Sequence, residues 1–140
     1  LTVCATEDPE ISRMTVILKG DEYMLYQMIR QMDKLEDVKK IGCANELDCV
    51  YRELMLVKVK ADAEARNQIV QIKEMYKAKV VDLSIDTMIL ELTGDPEKLD
   101  AFVKVIEPYG ILEMQRTGVT VLARGQHTLK DRDCYGDHIN

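Results

Sequence analysis

Apolar and polar positions alternate from Arg52 to Ala61 in RELMLVKVKA, with Met55, Val57 and Val59 on one face. That period of two predicts a strand. From Glu64 to Tyr76 the period lengthens. Ala65, Ile69, Ile72 and Tyr76 form one stripe, which predicts a helix. Lys79 to Ile85 and Thr87 to Thr93 alternate again, with Val81, Leu83 and Ile85, then Met88, Leu90 and Leu92, expected inward. The short turn between them predicts a hairpin. Pro96 to Glu107 is a second helix, burying Leu99, Phe102, Val103 and Ile106, and Pro108-Tyr109-Gly110 stops it. Ile111 to Arg116 is a final strand, which Val119 to Ala123 extends or follows. The order is βαββαβ, the split unit of ferredoxin-like folds.

The first third of the chain echoes this pattern. Gly20-Asp21-Glu22 and Gly94-Asp95-Pro96 each follow an alternating run and precede a helical one, and 94 − 20 gives an offset of 74. At that offset Met14 meets Met88, Leu18 meets Leu92, Leu25 meets Leu99 and Met28 meets Phe102. Two copies of one unit explain the agreement. The first copy reads ββαβ. Leu1 to Ala5 and Ile11 to Lys19 are strands, Asp21 to Leu35 is a helix and Asp37 to Ala44 closes it. About 30 residues of the repeat have no counterpart. By that logic Asp37 to Ala44 lacks a ladder partner within its own domain. The first domain then either belongs to a longer chain or is completed by another copy.

Domains of 1–44 and 52–125 follow, joined by a linker at 45–51, with an aperiodic tail at 126–140 expected to be disordered. The fold class is α+β: two ferredoxin-like domains, the first incomplete. In the second, Leu54, Leu56 and Ile89 fall on the face opposite the core. Helices cover one side of such a sheet, so the open side is expected to meet another sheet or subunit.

Composition narrows the chemistry. A net charge of −6 disfavours generic nucleic-acid binding, and one Phe with no Trp leaves few stacking platforms. No apolar run reaches the ~20 residues that span a bilayer, and no secretory signal is visible. Cys4, Cys43, Cys49 and Cys134 form no CxxC pair, so free thiols in a cytoplasmic protein are expected. His127, Cys134 and His138 have poor spacing for zinc, and no metal or cofactor is expected. Met24, Met28 and Met32 read as core filler. Both histidines lie in the tail and no phosphate-cradling glycine loop occurs, so no active site emerges.

Leu1-Thr2-Val3, then Thr6-Glu7-Asp8-Pro9 and Ile11-Ser12-Arg13-Met14-Thr15, resemble the L-T-V and T-x-D-P-x-[IL]-S-R-M-T of acetolactate synthase small (regulatory) subunits. Arg52 to Val59 is similar to that family's R-E-L-x-L-[IV]-K-V. Leu92-Thr93-Gly94-Asp95 and Arg116 to Gly125 are similar to its later motifs. The resemblance covers about residues 1–125. It implies ACT-type domains and a homodimer. It also implies a non-catalytic role, with a thiamine-diphosphate-dependent large subunit as partner, activated by this chain and feedback-inhibited through it by valine or related branched-chain amino acids. The family's effector sits between paired ACT domains. Of its positions only a fringe corresponds here: Leu1, Thr2, Val3 and Cys4. With the rest of that pocket without counterpart, activation without valine sensitivity, or no regulation at all, is expected.

Two rivals are an ACT-type sensor for another enzyme and a ferredoxin-like acylphosphatase-type enzyme. The latter needs an anion-cradling loop after its first strand, where this chain has Ala61-Asp62-Ala63-Glu64.

Overall fold

A computed structural model describes residues 1–45 and 47–131. Contacts divide the chain into two units: Leu1 with residues 3–50 and those from Val121 onward, and Thr2 with residues 51–120.

The second unit has the predicted order. The strand β3 (Cys49–Lys60) enters it and is followed by α2 (Ala63–Tyr76), β4 (Lys79–Leu83), β5 (Thr87–Gly94), α3 (Pro96–Ile106) and β6 (Ile111–Arg116). The sheet runs β4-β5-β3-β6, with β3 antiparallel to both neighbours. A further strand, β7 (Thr120–Ala123), also pairs with β3. The ferredoxin-like α+β class is thus confirmed.

Each helix starts on an aspartate. Asp62 accepts from the Ala65 amide at 2.8 Å and Asp95 from the Lys98 amide at 2.9 Å. Pro96 follows at the first helical position, where its missing N–H costs nothing. The helix α2 ends at Lys77, held left-handed at φ 57°, with the Ala78 amide donating to the Lys73 carbonyl. That is a Schellman closure, and Ala78 is buried beneath it.

The core is the one the periodicity predicts. Met55, Val57 and Val59 of β3 and Met88, Leu90 and Leu92 of β5 meet Ile69 of α2 and Leu99, Phe102 and Ile106 of α3. Tyr76 meets Phe102 edge-on, ring centres 5.2 Å apart.

Edge strand β4 departs from expectation. The register slips between Val80 and Asp82, so Val81 is an extra, bulged residue. Val80 and Leu83, not Val81, stand opposite the core residues Leu90 and Met88. Ile85 lies past the strand end and is 87% exposed. Even Leu83 is 57% exposed, as an edge strand receives little cover from two helices centred on β3 and β5.

In the first unit, β1 (Thr2–Ala5) and β2 (Ser12–Thr15) pair as a hairpin, followed by α1 (Glu22–Asp33). Asp21 caps α1 through the Met24 amide at 2.9 Å, repeating the role of Asp95 at the 74-residue offset. The methionine stripe is not core filler throughout: Met24 is exposed, while Ile29 is buried. Residues 37–44 form no strand. A strand needs a ladder partner, and the hairpin offers none to this stretch. Residues 45–51, read as linker, already include the start of β3. Leu129–Asp131 forms one 3-10 turn in the stretch read as tail, of which residues 132–140 lie outside the described residues.

Two substitutions test this core and its closure. Phe102→Ala should cost about 3–5 kcal/mol in urea unfolding. Lys77→Gly should gain about 0.5–1 kcal/mol by relieving the left-handed position.

Candidate functional site

Alternation along β3 places Glu53 in phase with Met55, Val57 and Val59, so a carboxylate enters a face meant for apolar side chains. Glu53 is 7% exposed. A buried charge persists only when it is paired and hydrogen-bonded. Here Arg116, at the end of β6, supplies both. Its Nε donates to Glu53 Oε1 and its Nη2 to Oε2, each at 2.8 Å. Its Nη1 reaches Asp100 of α3 at 2.6 Å. The hydrogen bonds to Glu53, then the one to Asp100, hold the guanidinium above its ordinary pKa.

Beside this pair lies a shallow groove of about 220 Å³ lined by Arg52, Glu53, Leu54, Thr93, Thr117 and Thr120. Three motifs distant in sequence meet there. From the first, Arg52 stands at the rim, its Nη1 donating to the Tyr51 carbonyl at 2.7 Å. From the second, Leu92 enters the core, Thr93 lines the groove, Gly94 stands opposite Glu53 and Asp95 caps α3. From the third, Thr117 clasps β3. Its amide donates to the Leu54 carbonyl at 3.0 Å, and its hydroxyl accepts from the Leu54 amide at 3.1 Å. Gly118, at φ 85°, turns the chain so that Thr120 can begin β7.

Both Glu53 oxygens are engaged by Arg116. The carboxylate is therefore a structural anchor, not a poised base. The loop that acylphosphatase-type chemistry would use is also occupied. Asp62 fills the α2 N-terminus, and the Arg66 guanidinium donates to the Ser84 and Ile85 carbonyls. What the arrangement offers is a rigid, mixed surface suited to binding.

The proposed effector fringe lies in the first unit's hairpin, with Thr2 assigned by contact to the other unit. Leu1 and Val3 are largely exposed, Cys4 is an exposed free thiol and Thr2 is half-buried. The neighbouring T-x-D-P motif locks the hairpin loop. The Thr6 hydroxyl accepts from the Asp8 amide at 3.1 Å and donates to the Ile11 carbonyl at 2.8 Å. Cys49 is also free, whereas Cys43 is disulfide-bonded, against the expectation of free thiols. Of the weighed metal ligands, Cys134 and His138 lie outside the described residues. Among the described residues no group of three His, Cys, Asp or Glu could hold a metal ion. No described helix is long and apolar enough to cross a membrane.

The Glu53–Arg116–Asp100 network was not anticipated from sequence. Its signal was a Glu in phase with an apolar strand face, followed later by an Arg in phase with the facing one.

The fold and this groove define an α+β binding module of the ferredoxin-like ACT type. Residues 52–125 match the family model described as small subunit of acetolactate synthase. The acetolactate synthase small subunit of Mycolicibacterium smegmatis is 45% identical over 125 residues, covering 89% of this chain and 74% of that protein. The probable acetolactate synthase small subunit of Methanothermobacter thermautotrophicus is 42% identical over 130 residues, covering 92% and 77%. The crystal structure of the acetolactate synthase small subunit from Thermotoga maritima superposes with a TM-score of 0.82 at 32% identity, covering 90% of this chain and 79% of that one. The chain belongs to the acetolactate synthase small-subunit family.

If Arg116 is there to neutralise Glu53, Arg116→Met should destabilise by about 3–5 kcal/mol, because it strands a buried carboxylate. Glu53→Leu combined with Arg116→Met should recover most of that loss in urea unfolding. Additive losses would show that the pair is not one unit.

Proposed function

We propose that the chain is the non-catalytic regulatory subunit of acetolactate synthase in branched-chain amino-acid biosynthesis. It binds the thiamine-diphosphate-dependent large subunit in the cytoplasm and raises its activity. It acts as a homodimer within a valine-regulated system, with Leu1, Thr2, Val3 and Cys4 at the fringe of the effector site. Residues 1–44 are the sensing domain and residues 52–125 the second domain.

One observation carries this reading. Three of the motifs shared with small subunits converge on a groove whose carboxylate is engaged by Arg116, beside hydroxyls and an exposed Arg52. That surface supports recognition of a partner. Binding valine and binding the large subunit would then be coupled, each altering the affinity for the other by the same factor.

The test mixes the chain with the large subunit and follows acetolactate formation with and without valine. Stimulation at saturating chain, unchanged when valine is added, is the expected outcome. A large subunit whose rate is unchanged by excess chain would reject the regulatory reading. Full inhibition by valine would retain activation and overturn the expectation that only the fringe of the effector site corresponds in this chain.

A further inference from the structure

Residues from opposite ends of the sequence meet inside the first unit. Arg13, in β2, donates from Nη1 to the Val121 carbonyl at 2.9 Å, a part-buried bond across 108 positions. Val121 is the second residue of β7, and the first, Thr120, lines the groove. The strand is secured at both ends as well. Before it, the Thr117 amide donates to the Leu54 carbonyl, and after it the Arg124 amide donates to the Asp48 carbonyl at 2.8 Å. The strand has four residues, so this side-chain bond adds to a short pairing with β3.

The chemistry suits a fixed tie. A guanidinium stays charged at every physiological pH and presents rigidly placed donors, whereas a lysine ammonium is a mobile point charge. Arg13 also stands in β2, two residues past the loop locked by Thr6 and Asp8. The locked loop thus leads, two residues on, into the side chain that holds the Val121 carbonyl.

We propose that Arg13 is a regulatory positioning residue, a latch that fixes β7 to the β1–β2 hairpin. Moving the hairpin then alters β7, whose first residue is Thr120. The latch has two states, bond made and bond broken. A ligand acts through it only as far as it prefers one of them. The inference rests on the regulatory reading above and adds the residue through which the hairpin would act.

The test compares the full chain with its Arg13→Met and Arg13→Lys variants. In Arg13→Met, amide hydrogen exchange in β7 should accelerate at least tenfold while β5 is unchanged, with Arg13→Lys between. When these are titrated into the large subunit, Arg13→Met should lower maximal stimulation at least threefold. The chain concentration giving half of that stimulation should stay the same. Unchanged β7 exchange overturns the latch. So does acceleration spread equally through β5, or a shift in half-saturation with the maximum intact. If the unaltered chain gives no stimulation, it is the regulatory reading that has failed, and the exchange pattern still decides whether Arg13 fixes β7.

Discussion

A strand inside a sheet must satisfy its backbone on both sides, and β3 is where this chain meets that demand. It pairs with β5 along one edge and with β6 and β7 along the other. Its alternation sets which residues become core. Met55, Val57 and Val59 point into the helices because the ladder leaves them no other direction. The same phase carries Glu53 inward, two residues before Met55. From that one buried carboxylate much of the site follows. It requires Arg116, which fixes the end of β6 and engages Asp100 of α3. The clasp of Thr117 on Leu54 and the turn at Gly118 then place Thr120 beside Thr93 in the groove.

This explains why the recognisable motifs are also the structural ones. Aspartates cap all three described α-helices, and one of them fills the helix start where an anion would otherwise sit. Thr6 closes a loop, Gly94 stands opposite Glu53, and Arg116 neutralises a carboxylate. Such residues build a surface of fixed shape. A regulatory subunit needs that, since its partner must read a difference between two arrangements and a loose surface would blur it.

The periodicity of the second unit was legible almost to the residue, because long alternating and helical runs with Asp and Gly punctuation agree with one another. Three features were not. The bulge at Val81 breaks a period of two without changing residue type, so Val81 and Ile85 read as inward when neither is. Residues 37–44 have strand-like composition, but strands are made by partners, which no single segment encodes. The ion-pair network was visible only as phase: Glu53 and Arg116 lie 63 positions apart, and nothing local joins them. Likewise, Arg13 stood out as a motif residue while its bond to Val121 depends on topology.

The central claim is that this chain acts by binding a catalytic partner. Sedimentation velocity of the chain mixed with the acetolactate synthase large subunit tests it most directly. The account predicts that at micromolar concentrations the chain leaves its own boundary and moves with the large subunit as a faster species. Two boundaries, each unchanged from the separate proteins, would contradict it.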